Sequence, residues 1–160
     1  MSATAIASRS DFVAAVQRGF EAAAREQARR ILCVDPDFAE WPLDDEGLHA
    51  LLTRWLHLPQ RRLVLLAAHY DELPRRHPRF VAWRRYWSHA IETWVAPEEG
   101  AAELPTVLVD DGTVSVNLVD VLHWRGRVES DAGSARVWCD RIDALLQRSQ
   151  PGLGASTLGL

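Results

Sequence analysis

Three short strand-like runs, separated by segments with helical spacing, constrain the fold of this chain more than any other feature of its sequence. The runs are Ile31 to Val34, Leu63 to Ala68 and Ile91 to Val95. They have the length of strands, and the first two are uniformly apolar, which is typical of strands buried on both faces of a parallel sheet. Strands that alternate with helices predict an α/β fold with a mostly parallel sheet.

The segments around these runs predict helices with one apolar face. Ser10 is the expected N-cap of a first helix that ends near Arg29. Asp44 or Asp45 opens a second helix, which stops before Pro59. These two helices are expected to pack against the sheet through their apolar faces.

Three further elements complete the predicted domain. A third helix begins near Pro78 and has Trp83 on its apolar stripe. Asp110-Asp111-Gly112, between the apolar segments Val107 to Val109 and Val114 to Leu118, predicts an antiparallel hairpin. A C-terminal amphipathic helix begins at Asp131 or Ser134.

The length of 160 residues and the hydrophobic content of 48% fit one domain with one core. We expect a single α/β domain over residues 10–149. Residues 1–9 are predicted to be a disordered N-terminus. Residues 150–160 contain several glycines and no periodicity, and they are predicted to be a flexible C-terminal tail.

All 18 basic side chains are arginine, and the chain contains no lysine. Schiff-base chemistry and phosphate-loop lysines are therefore excluded. The net charge of -4 provides no basic surface, so nucleic acid is not an expected partner. The longest apolar run is far too short to span a bilayer, and no signal-peptide pattern is seen, so we expect no membrane association and a cytoplasmic location. No cofactor is predicted.

Acidic and aromatic side chains follow the first two predicted strands. Asp35 and Asp37 come after the first strand, and His69, Tyr70 and Asp71 come after the second. Ligands of open parallel sheets bind beyond the carboxyl ends of the strands, so these residues are candidates for one cleft. The structural alternative is that the aspartates cap a turn and His69 binds a backbone carbonyl.

The sequence does not favour a metal site or a reactive cysteine. A zinc site from His69, Asp71 and His77 lacks the tight local spacing of zinc ligands, and no metal is predicted. Cys33 lies within the first apolar run and Cys139 within the last helix, which indicates buried, reduced thiols.

Five arginines lie close together in the sequence: Arg75, Arg76, Arg79, Arg84 and Arg85. Guanidinium groups bind phosphate oxygens in a bidentate manner, so Arg79, Arg84 and Arg85 are candidate ligands for a small anion. The alternative is a solvated helix face on which nearby carboxylates pair with these charges.

The order of elements, the strand that reaches Asp35-Pro36-Asp37 and the hairpin from Thr106 to Asn117 resemble one half of the phospholipase D-like fold. Catalytic members of that superfamily carry His-x-Lys-x4-Asp on the hairpin strand, where the histidine attacks phosphorus and the lysine neutralises the phosphate. The best register places Glu103, Pro105 and Asp110 at these positions. Only the aspartate matches.

The chain also resembles an uncharacterised proteobacterial domain family of that fold, which is often fused behind acetyltransferase domains. Arg30 to Asp37, His77 to Phe80 and Pro151 to Leu160 carry this resemblance. The resemblance implies a fold and no defined chemical activity.

Together these observations predict a non-catalytic phospholipase D-like module that binds itself, a protein partner or a small anionic ligand. The resemblance implies a homodimer, because single-half members pair so that two hairpin strands meet. The apolar positions Val114, Val116 and Leu118 indicate that one face of the hairpin is covered, either by a second copy or by the C-terminal helix. The alternative is an enzyme acting on a phosphate-containing substrate, with His69 as the base and Asp35 or Asp71 orienting it.

Overall fold

The computed structural model describes residues 3–153, which form one eight-stranded sheet with helices on both faces. The strands are β1 (Ala3–Ile6), β2 (Arg30–Val34), β3 (Arg62–Ala67), β4 (Ile91–Val95), β5 (Thr106–Asp110), β6 (Val114–Asp120), β7 (Arg125–Ser130) and β8 (Gln150–Pro151). The helices are α1 (Arg9–Arg25), α2 (Glu46–Leu56), α3 (Leu73–Arg76), α4 (Pro78–Tyr86), α5 (Glu98–Ala101) and α6 (Ala132–Leu146).

The strand order is β1-β7-β6-β5-β2-β3-β4-β8, and within the described residues only the pairs β2–β3 and β3–β4 are parallel. The other neighbouring pairs are antiparallel. The α/β class is confirmed, but the expectation of a mostly parallel sheet is wrong. The parallel prediction came from the three central strands, whereas β1, β7 and β8 carry no long apolar run and join the sheet by antiparallel pairing, β1 and β8 at its edges and β7 between β1 and β6.

The two faces of the sheet bury alternate residues of the central strands. On one face, Ile31 and Leu63 belong to the same core as Phe12, Trp55 and Phe80 of α1, α2 and α4. On the other face, a second core joins alternate residues of the strands to α6 (Leu32, Val34, Val64, Val107, Val109, Ala135 and Ile142). Because successive side chains of a strand point to opposite faces, one uniformly apolar run supplies both cores.

The helix ends differ from the sequence predictions by a few residues. Ser8, not Ser10, caps α1, and its hydroxyl accepts the Asp11 N–H. The same helix ends at Arg25 instead of Arg29, and Gln27 beyond it has φ 56°. That left-handed conformation is incompatible with a continuing helix. The N-caps Asp45 of α2 and Asp131 of α6 are confirmed.

The apolar face of the β5–β6 hairpin is covered by α1. Val116 and Leu118 are buried in the core that contains α1, and Gly19 of α1 lies against the side chains of Leu108 and Val116. The expectation that the C-terminal helix covers this face is wrong, and with α1 in place the face does not require a second copy to bury it. Helix α6 packs on the opposite face, against β5 and β2.

Both predicted terminal segments contain strands. Ala3–Ile6 form β1, which pairs antiparallel with β7 inside the segment predicted to be disordered. Gln150–Pro151 form β8 on the edge of β4 within the predicted tail. Strands this short have no recognisable periodicity, and the pairing partner defines them. The tail from residue 154 onward lies outside the described residues.

Among the helices of residues 3–153, none combines the length and the apolar character that a membrane crossing requires.

Candidate functional site

The hairpin strand β5 begins beside the carboxyl ends of the parallel strands, because β5 runs antiparallel to β2 and pairs Val107 with Val34. Glu103 and Pro105 lie just before Thr106, with Glu103 exposed and Pro105 half-buried. Asp110 lies at the other end of the strand and is only 1% exposed. The three positions that align with the catalytic motif are therefore divided between the two ends of β5.

Asp110 holds the hairpin turn. Its Oδ1 accepts hydrogen bonds from the backbone N–H groups of Gly112, Thr113 and Val114, at 3.0, 2.8 and 3.0 Å. A buried carboxylate needs such partners, and these three donors keep its oxygen within the turn. This is a structural role, and it is sufficient to explain an aspartate at this position.

Asp35 joins the loop after β2 to the start of β5. Its Oδ2 accepts the N–H groups of Asp37 and Phe38, and its Oδ1 accepts the Thr106 hydroxyl at 2.6 Å. Phe38 has φ 61°, a strained conformation for a bulky residue that these bonds help to maintain. Asp37 also binds within the loop, where its Oδ1 accepts the Ala39 N–H. The structural alternative for the two aspartates, a capped turn, matches this geometry.

Burial raises the pKa of Asp35, and hydrogen bonds from Thr106 and from the loop N–H groups oppose this effect. Between the unfolded value of 3.8 and the raised folded value, the folded protein holds a proton that the unfolded chain has released. A rise in pH through this window therefore favours unfolding.

We expect the parent protein to lose stability relative to Asp35→Asn as the pH rises through this window, because the amide does not ionise. Urea unfolding of both proteins from about pH 3 to about pH 7 measures the difference. The opposite slope would show that the hydrogen bonds to the ionised carboxylate outweigh its burial.

His69 and Asp71 lie together at the end of β3, whereas Tyr70 between them points into the core. The His69 Nδ1 is 3.5 Å from Oδ2 of Asp71, and both side chains are substantially exposed. The Tyr70 hydroxyl donates to the Trp94 carbonyl at 2.8 Å. Of the two aspartates proposed to orient His69, Asp71 lies beside it, while both oxygens of Asp35 are occupied by Thr106 and the loop.

The three candidate arginines do not converge. Arg79 is exposed and lies 3.6 Å from a carboxylate oxygen of Glu46. Arg85 is exposed, whereas Arg84 is buried and donates to the Leu153 carbonyl. Arg84 and Arg85 are adjacent residues of α4 and point in different directions, so the solvated-face interpretation fits Arg79 and Arg85, but not Arg84.

His77 and the two cysteines lie in environments that indicate structural roles. His77 is buried, and its Nε2 donates to the Phe38 carbonyl at 2.8 Å. No group of three His, Cys, Asp or Glu side chains in residues 3–153 has an arrangement that could hold a metal ion. Both cysteines are free thiols. Burial raises the pKa of both, that of Cys139 to about 11, which disfavours the nucleophilic thiolate.

A groove of about 450 Å³, which the sequence analysis did not predict, lies between α6 and the segment from α5 to the start of β5. Glu103 and Pro105, the two positions where the catalytic motif is lost, line it. Helix α6 forms the opposite wall of the groove. There the Arg141 guanidinium stacks on Trp138, 4.4 Å from the centre of its ring. The three-residue spacing of Trp138 and Arg141 on the last helix is the sequence signal for this stacked pair.

No family model and no curated protein sequence matches this chain. Three solved structures are similar over 94% of it. TrmBL2, an archaeal chromatin protein whose structure shows a novel mode of DNA binding, has a TM-score of 0.63 at 11% identity over 54% of its own length, so the present chain spans about half of it. NucT from Helicobacter pylori has a TM-score of 0.59 at 6% identity over 98% of its length.

The third similar structure is Nuc from Salmonella typhimurium, a phospholipase D family member, with a TM-score of 0.54 at 9% identity over 97% of its length. At these identities the likeness concerns the path of the backbone and carries no side-chain role. The chain has a phospholipase D-like fold.

Proposed function

We propose that this chain is a non-catalytic phospholipase D-like module that acts by binding. The observation that carries the proposal is the start of β5, where Glu103 and Pro105 occupy the motif positions of the attacking histidine and the phosphate-neutralising lysine. An acidic side chain at the first position repels a phosphate, and proline has no side-chain donor. The chain has no lysine elsewhere that could supply the missing cation.

The surroundings of the third motif position support the same proposal. Asp110 is committed to three N–H groups of its own turn, so the one residue that matches the motif has a structural use without catalysis. The turn alone explains an aspartate at position 110, so its presence is not evidence of catalytic activity.

We expect no phosphodiester hydrolysis above the blank when the parent protein is assayed on bis(p-nitrophenyl) phosphate, single-stranded DNA and phosphatidylcholine. An active phospholipase D in the same buffers is the positive control. Turnover that grows with protein concentration and persists after repurification would overturn the proposal.

The His69→Ala variant tells such activity apart from contamination. The close pair of His69 and Asp71 supports a relocated site as the competing function. Authentic turnover that His69→Ala abolishes would favour that enzyme, whereas equal turnover in both proteins would identify a contaminant.

DNA is outside the proposal, because the chain has a net charge of -4 and phosphate contacts dominate nucleic-acid affinity. The similarity to TrmBL2 nevertheless makes DNA the natural first probe. We expect no change in the fluorescence anisotropy of a labelled duplex at low salt. Saturable binding that weakens with added salt would instead identify nucleic acid as a partner.

We further propose that one binding partner is a second copy of the chain. Val119, Val121 and Leu122 are exposed around the β6–β7 turn, with Leu122 at 82%. This turn lies at the same end of the sheet as the start of β5, because Leu118 pairs with Thr106. Exposed apolar clusters favour association, and the family resemblance implies pairing of two halves.

Leu122→Asp is expected to convert a dimer into a monomer, because an aspartate in the middle of an apolar contact loses its hydration. Light scattering over a concentration series should change from twice 18.0 kDa to 18.0 kDa. Val137→Asp, an exposed apolar residue on α6, is the matched control and should leave the mass unchanged. A parent mass of 18.0 kDa at every concentration would contradict the dimer.

A further inference from the structure

Arg84 is a buried cation whose charge no carboxylate of the described residues balances. It lies in the last turn of α4, is 8% exposed, and donates from Nη2 to the Leu153 carbonyl at 2.5 Å. Its Nε is buried without a hydrogen-bond partner. Within residues 3–153, no carboxylate oxygen lies within 4.0 Å of its guanidinium nitrogens.

This arrangement is costly for a guanidinium group. A neutral carbonyl satisfies one donor but does not neutralise the charge, and buried charges in folded proteins are normally paired. Burial lowers the pKa of Arg84. Arginine nevertheless remains protonated in proteins, so the positive charge persists. The negative end of the α4 dipole offsets only part of the cost.

Arg84 is one of the residues that line a cleft of about 310 Å³ between the end of α4, β4 and β8. Glu92 is the one carboxylate among its described lining residues, and it is already engaged. One of its oxygens is 3.5 Å from Nε of Arg62, and the other accepts the Trp94 indole N–H at 3.0 Å. The cleft therefore presents a cation that has no counter-ion among the described residues.

The cleft has further polar groups at its rim. Ser88 and His89, which follow α4, line it and are exposed, so a hydroxyl and an imidazole can contact a bound molecule. Ile91, Pro151 and Leu153 supply apolar wall. A few polar groups in a partly apolar pocket are typical of small-molecule sites.

We propose that this cleft binds a small oxyanion, a carboxylate or phosphate group that pairs with Arg84. The geometry assigns Arg84 as the anchoring cation and the Ser88 hydroxyl as an additional donor. This inference goes beyond the binding module proposed above, and it depends neither on the loss of the catalytic motif nor on self-association.

Calorimetric titration of the parent protein tests the site, with sodium phosphate and sodium acetate as separate probes in chloride buffer of constant ionic strength. We expect one saturable site, and the comparison of the two probes identifies the preferred oxyanion. Arg84→Gln should weaken binding about tenfold or more, the loss expected for a charge-assisted hydrogen bond. Arg85→Gln has the same net charge as this variant and should bind like the parent.

Nuclear magnetic resonance of the parent protein gives a readout that requires no mutation. Addition of the preferred anion should shift the Nε–H signal of Arg84 and leave that of Arg85 unchanged. Two results would overturn the proposal: no saturable heat from either probe up to about 10 mM, or equal affinities of Arg84→Gln and Arg85→Gln. If Arg84→Gln does not fold, the Arg84 signal decides, because an unshifted signal at saturating anion also overturns it.

Discussion

Replacement of Trp55 by alanine is expected to lower the free energy of unfolding by about 3 to 5 kcal/mol, the range for removal of a large aromatic side chain from a core. Trp55 is 2% exposed on α2, where it belongs to the core on the helix-rich face of the sheet. Its indole Nε1 donates to the Ala28 carbonyl at 2.7 Å, and the variant leaves that oxygen without its partner. Urea unfolding followed by circular dichroism measures the loss.

Trp83→Ala is the matched control, because it removes the same side chain from a half-buried position on α4. The Trp83 indole donates to the Thr53 hydroxyl and stacks on His49, with ring centroids 5.2 Å apart. We expect a loss of about 1 to 2 kcal/mol, in proportion to the smaller buried area. A loss equal to or larger than that of Trp55→Ala would contradict the burial of the two residues in this structure.

Gly126→Ala is expected to cost about 3 kcal/mol, at the upper end of the range for overpacking. A Cβ at this position would lie 2.1 Å from the Asn117 carbonyl oxygen and 2.8 Å from the Leu118 Cα. Both atoms belong to the backbone of β6, so no side-chain rotation relieves the contact. Strand β7 must move away from β6, and β1 moves with it, because Gly126 also pairs with Ile6.

Gly100→Ala provides the control for this glycine substitution. Apart from its chain neighbours and the backbone of α5, no heavy atom of residues 3–153 lies within 4 Å of a Cβ added at Gly100, so the change reduces only the freedom of the unfolded chain. We expect unchanged or slightly increased stability in the same urea experiment. Equal losses from the two substitutions would show that the contact with β6 is not the cause.

The central part of the fold could be predicted from the sequence because its signals are local. The apolar runs of β2, β3 and β4, the Asp-Gly turn of the hairpin and the spacing of α6 each depend on neighbouring residues. Strands β1 and β7 could not be predicted in this way. Arg125 to Ser130 alternate charged and small residues, and they form a strand because β6 and β1 pair with them on both sides.

The candidate site could likewise be predicted only in part from the sequence. The sequence places Asp35 and His69 at the ends of neighbouring strands, and the parallel pairing of β2 with β3 bears this out. It does not reveal that Thr106, on an antiparallel strand, donates to Asp35. Nor does the arginine cluster indicate which member is buried, because that depends on the packing of Leu153 against α4.

The pairing of β1 with β7 has a consequence for the order of folding during synthesis. Strand β1 is synthesised before the other strands of the sheet, yet it pairs with β7, and β2 likewise pairs with β5 across the intervening β3 and β4. Contacts between distant segments slow folding, because the closure of long loops must precede them. The pairing of β1 can therefore form only after β7 has been synthesised, and until then Ile6 lacks its partner strand and is exposed to chaperones and to aggregation.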